Sequence, residues 1–88
     1  MPDIEKLHDE KANAVLQIAD CQQKLAAEEE MLNSILSQPQ TAENEQYLEA
    51  SKKACRLGIK AWKLSIIAWQ GDVDRCQSGL DAILAPPK

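Results

Sequence analysis

The second half of the chain carries apolar residues at alternating spacings of four and three positions. The series runs from position 48 to position 83 and is interrupted only at Lys52. Its members are Leu48, Cys55, Ile59, Trp62, Ile66, Trp69, Val73, Cys76, Leu80 and Ile83. This spacing keeps side chains on one face of an α-helix and is typical of long helices that pack along other helices. It predicts one continuous helix from about residue 42 to 84, passing through Gly71 and Gly79 without a break.

The first half of the chain has a similar stripe. Lys11 and Glu28 are its two exceptions. The apolar members are Ile4, Leu7, Ala14, Ile18, Cys21, Leu25, Leu32 and Ile35. We predict a helix over about residues 3–37, with Asp3 as its N-cap and an end before Pro39, because proline disfavours helical geometry in the residue that precedes it.

A short turn over residues 38–41 connects the two predicted helices, and Thr41 is a suitable cap for the second. Two long helices joined by a short turn run antiparallel. The predicted fold is therefore an all-α, antiparallel two-helix hairpin that forms a single domain over residues 1–88. Because a chain of 88 residues buries only a small core by itself, we expect dimerisation to complete a four-helix bundle.

The predicted turn also predicts which residues face each other. If it centres on position 40, the numbers of facing residues add to about 80. Glu28 and Lys52, which interrupt the two stripes, would then meet as an ion pair between the helices. Ile18 would lie opposite Trp62.

A second apolar row lies on nearly the opposite side of the second helix. Its members are Ala54, Leu57, Ala61, Leu64 and Ala68, which we call the outer row. A partner helix covers roughly a third of a helix circumference, so the first helix cannot cover both sides. We expect the outer row to bind a second copy of the chain, as a homodimer, or another helical protein.

The charges are unevenly divided. The chain has a net charge of −4, with a net −5 over residues 1–38 and +1 over residues 39–88. Five bases and no acid lie between positions 50 and 71, and we expect acids of the first helix or of a partner protein, rather than a nucleic acid, to neutralise them. The predicted partner-binding residues are Leu57, Ala61, Leu64, Ala68, Lys60 and Lys63.

No pattern in the chain indicates catalysis, a metal site or a cofactor. His8 is the sole histidine, and its acidic neighbours at the next two positions point away from it on a helix. The three cysteines occupy positions on the two stripes, where a free cysteine packs as a small apolar residue. An odd number of cysteines without close pairs favours reduced thiols. With no apolar run of signal-peptide or membrane-spanning type, we expect a non-enzymatic cytoplasmic protein without a membrane partner.

A Gln46-Tyr47 pair soon after the turn precedes an Ala- and Ile-rich helix from Ala54 to Ile67. In this feature, and in its length and hairpin form, the chain resembles the small co-chaperones that keep type III secretion needle subunits soluble in bacterial cytosol. The resemblance covers Leu25 to Ile67, and a similar one to the needle subunits themselves covers Leu32 to Leu84.

The patterns and the resemblance together favour an adaptor, co-chaperone or assembly factor that acts through an apolar helix face. Two alternatives are a self-assembling structural subunit of a needle or rod and a small acidic inhibitor of a nucleic-acid enzyme. A structural subunit would form filaments, whereas an inhibitor would bind its enzyme one to one.

Overall fold

The computed structural model describes residues 4–85 and consists of two antiparallel α-helices. Helix α1 spans Ile4–Leu36 and helix α2 spans Glu45–Leu84. Together they form a rod of 71 × 18 × 15 Å. The predicted all-α hairpin is confirmed, whereas the predicted cap at Asp3 lies outside the described residues.

The connection between the helices is longer than predicted. Helix α2 begins three residues later than expected because Thr41 and Asn44 bond to each other: the Thr41 amide donates to Asn44 Oδ1 at 2.7 Å and the Asn44 amide donates to Thr41 Oγ1 at 3.3 Å. Asn44 Nδ2 also donates to the carbonyl of Pro39 at 3.2 Å. Asn44, rather than Thr41, is therefore the N-cap residue of α2.

The core is a single layer of side chains between the two helices. Its buried members are Ala14, Cys21, Ile35, Leu48, Cys55, Cys76 and Leu80. All other members of the two predicted stripes except Ile4 are half-buried. No polar or charged residue among the described ones is buried, so the core itself is apolar.

The register of the two helices differs from the predicted one. Leu7 approaches Gly79 and Glu28 approaches Gly58, and the residue numbers of both pairs add to 86 rather than to about 80. The helices are therefore displaced relative to the sequence-based prediction. The connection is asymmetric, since the first turn of α2 continues past the end of α1.

This displacement removes the predicted contacts between specific side chains. Lys52 Nζ pairs with Glu49 of its own helix at 3.2 Å, so the predicted ion pair with Glu28 is wrong. Trp62 lies beside Lys24, whose Nζ is 5.0 Å from the centre of the indole ring. In the observed register Ile18 does not lie level with Trp62, so the predicted pairing of these two residues is wrong.

The prediction that α2 continues through its glycines is confirmed, and the three glycines have different surroundings. A Cβ atom at Gly58 would lie 3.0 Å from the carboxyl carbon of Glu28, and one at Gly79 would lie 3.2 Å from Leu7 Cδ1. A Cβ atom at Gly71 would meet no atom within 4 Å. Gly58 and Gly79 thus make room for side chains of α1, whereas Gly71 faces outward.

We expect Gly71→Ala to raise the free energy of unfolding by about 1 kcal/mol, because alanine is the better helix former and has open space at this position. Urea denaturation at one low protein concentration measures the change. Gly58→Ala is the matched control and should gain less, since Glu28 must move. A Gly71→Ala variant that is less stable than the native protein would contradict the outward placement of this residue.

The three cysteines should be protected from thiol reagents in the folded protein. Cys21, Cys55 and Cys76 are exposed to 4%, 3% and 0%, so a reagent reaches them only after local or global opening. We expect the rate of labelling by an aromatic disulfide reagent to rise with urea in parallel with unfolding. Fast labelling of all three thiols without denaturant would contradict the described packing.

Candidate protein-binding face

The outer row of α2 is uncovered along its whole length. Leu57 and Leu64 are 58% and 57% exposed, and the three alanines of the row are exposed as well. The cause is geometric: α1 packs against the opposite side of α2, where Cys55 and Cys76 are buried, and cannot reach around it. At a rise of about 1.5 Å per residue, the row from Ala54 to Ala68 is about 21 Å long.

The uncovered surface extends beyond the residues identified from the sequence. Tyr47, Ala50 and Gly71 continue the row at the same spacing and are exposed, with Tyr47 at 71%. The extended surface contains no charged residue and spans about 36 Å of helix. The heptad positions of these residues were sufficient to identify them, but alanine, glycine and a lone tyrosine give a weak apolar signal.

Near the connection, the same surface borders a groove between the two helices. The groove has a volume of about 420 Å³. Its walls are formed by Glu28, Met31, Ser34, Ile35 and Gln38 of α1 and the adjoining connection, and by Tyr47, Ser51, Ala54 and Cys55 of α2. Because Tyr47 and Ala54 belong to both features, the groove extends the outer surface of α2 toward Met31, which is 57% exposed.

A basic strip runs beside the outer row. It comprises Lys53, Arg56, Lys60 and Lys63, all of them exposed. None of the four forms an ion pair within residues 4–85, where the paired bases are Lys24, Lys52 and Arg75. Within residues 4–85 the acids of α1 therefore form no ion pair with the strip.

The structure also places an apolar row on the outward side of α1, which the sequence analysis missed. Its members are Ala12, Val15, Leu16, Ala19 and Ala26, which we call the α1 row. Val15 and Leu16 are 49% and 69% exposed, and the three alanines are exposed. The seven-residue spacing of these alanines beside Leu16 was the available signal. This row shares no residue with the groove.

The remaining candidate chemistry is unremarkable. His8 is exposed, and within residues 4–85 no three side chains of His, Cys, Asp or Glu lie close enough together to hold a metal ion. Neither described helix has a stretch long and apolar enough to cross a membrane. The Cys76 thiol lies 3.8 Å from a Glu10 carboxylate oxygen and donates a weak hydrogen bond to it.

The chain was compared with protein-family models, with curated proteins and with solved structures. No family model matches it, and neither a curated protein nor a solved structure matches it either.

Proposed function

We propose that this protein is a non-enzymatic helical interaction module, an adaptor, co-chaperone or assembly factor that binds an apolar helix on the outer row of α2. The single observation that carries the proposal is the uncovered row itself, with two leucines more than half exposed on heptad spacing. A helix-in-groove contact of this kind recognises residues at intervals of three and four.

The energetic support comes from burial of the exposed apolar atoms. Complete burial of a leucine side chain contributes about 1.5–3 kcal/mol. Leu57 and Leu64 are already partly covered by their own helix, so each retains about 1 kcal/mol of this gain for a partner. The small alanines between them let a partner helix approach closely, which adds van der Waals contact along the row.

The charges beside the row support a partner with an acidic surface. The basic strip has no acid on α2 between Glu49 and Asp72, and its bases form no ion pair with any residue from 4 to 85. A helix with apolar residues and flanking carboxylates would meet both features, and long-range attraction would speed its association. The occupant is a second copy of the chain or another helical protein.

The cellular setting that we propose is the cytosol of a bacterium with a type III secretion system. The resemblance to co-chaperones of bacterial type III secretion gives one setting in which such a module keeps an aggregation-prone helical subunit soluble. We place this activity in the cytoplasm, because three free thiols without a disulfide partner suit a reducing compartment.

The test is the association of the purified chain across concentrations from about 1 to 100 µM by sedimentation equilibrium. We expect the native protein to associate, and the Leu57→Glu/Leu64→Glu variant to remain monomeric in the absence of a partner while keeping its helicity by circular dichroism. Asn13→Glu/Gln46→Glu adds the same charge at exposed positions outside the row and should associate like the native protein.

Two results would contradict the proposed function. One is a double leucine variant that unfolds, because the row would then belong to the internal core. The other is a native chain that is monomeric at all concentrations and that, used as bait in an extract of its own cell, binds no protein more strongly than the double leucine variant does.

A further inference from the structure

The hairpin has two uncovered apolar rows that look away from each other. The α1 row and the outer row lie on the sides of their helices that are remote from the core, because the helices meet through their other sides. A contact between two identical rows would bury one row of each copy and leave the other exposed. A contact between unlike rows uses both rows of every copy.

Charge favours the contact between unlike rows. Helix α1 contains seven acids and three bases, whereas positions 50–71 of α2 contain five bases and no acid. Glu29 and Glu30 are exposed and form no ion pair within the described residues. Two outer rows packed on each other would instead bring two basic strips together with no acid between them.

The register inside the hairpin shows which residues would meet between copies. If two hairpins lie side by side, pointing the same way and without axial displacement, α1 of one copy runs antiparallel to α2 of the other with the internal register. Glu30 then comes level with Arg56, and Ala26 comes level with Lys60. The exposed acids of one copy thus approach the unpaired bases of the next.

Side-chain size agrees with this arrangement. Ala26 would lie between Leu57 and Leu64 of the neighbouring copy, so that large side chains meet a small one. Leu16 would lie close to Gly71, beside which there is open space. Alternation of large and small residues across facing positions is the arrangement that packs helices closely.

From these observations we infer that the occupant of the outer row is the α1 row of a second copy of this chain. The inference rests on the proposed function, since it names the partner of the same row. The contact joins unlike surfaces, so a pair of copies still carries one free row at each side. Further copies then close a ring, whereas an open chain of copies would be the self-assembling subunit named above as an alternative.

Complementation between two variants tests the inference. Leu57→Glu/Leu64→Glu blocks the outer row, and Leu16→Glu/Ala19→Glu blocks the α1 row. Each variant should be monomeric alone by sedimentation equilibrium, with its association at least tenfold weaker than that of the native chain. Mixed in equal amounts, they should form a one-to-one heterodimer, because each supplies the row that the other lacks.

Leu57→Met/Leu64→Met and Leu16→Met/Ala19→Ser are the matched controls, and both should associate like the native chain. Circular dichroism verifies that each variant is folded. If the Leu16→Glu/Ala19→Glu pair unfolds, Ala26→Lys replaces it, since this exposed position then places a positive charge level with Lys60 of the neighbour.

The outcomes separate this inference from the proposed function. If the α1-row variant still dimerises like the native chain, and mixing the two variants gives no heterodimer, two outer rows pack together. This result overturns the inference and leaves the proposed function standing. A native monomer whose outer row binds a different protein does the same. A native chain that neither associates with itself nor binds another protein overturns both the inference and the proposed function.

Ionic strength gives an independent measurement. A contact between the acids of α1 and the bases of α2 should weaken several-fold between about 0.05 and 0.5 M salt, because salt screens attraction between exposed charges. Association that strengthens with salt would indicate two basic strips in contact and would overturn the inference.

Discussion

An α-helix can cover only one side of another α-helix, and both the core and the exposed apolar rows of this protein follow from that constraint. With two helices, the chain buries one stripe of each and forms a core one side chain thick, in which seven of the described residues are buried. Any further apolar residue must then remain exposed in the single chain. On both helices these residues form regular rows, unlike the single exposed leucines that are scattered over most protein surfaces. The exposed rows thus follow the same three- and four-residue spacing as the core.

The charges of the hairpin are arranged by the same constraint. Ion pairs within the described residues involve Lys24, Lys52 and Arg75; they link near neighbours on one helix or, between Arg75 and Glu10, the two helices at the same level. The basic strip beside the outer row has no such link. Exposed ion pairs add little to stability, so the unpaired strip costs the fold little and stays available to an approaching surface.

The sequence predicts the helices, their antiparallel order and the outer row, because apolar spacing directly reflects the geometry of a helix. It does not predict the register. That depends on bonds between Thr41 and Asn44, which delay the start of α2 and which no periodic pattern encodes. The apparent match of Glu28 with Lys52 was a consequence of placing the turn symmetrically about position 40. The α1 row escaped notice because alanine is common in any helix and marks an apolar face only when its exposure is known.

The distribution of contacts along the rod determines the order in which the hairpin can close. Ile35 and Leu48 belong to one cluster and lie thirteen residues apart in sequence, whereas Leu7 lies beside Gly79 although seventy-two positions separate them. Closing a short loop costs less chain entropy than closing a long one. Helix pairing is therefore favoured to start beside the connection and to proceed from there toward the other end of the rod. The end of the rod near Leu7 and Gly79 then joins last.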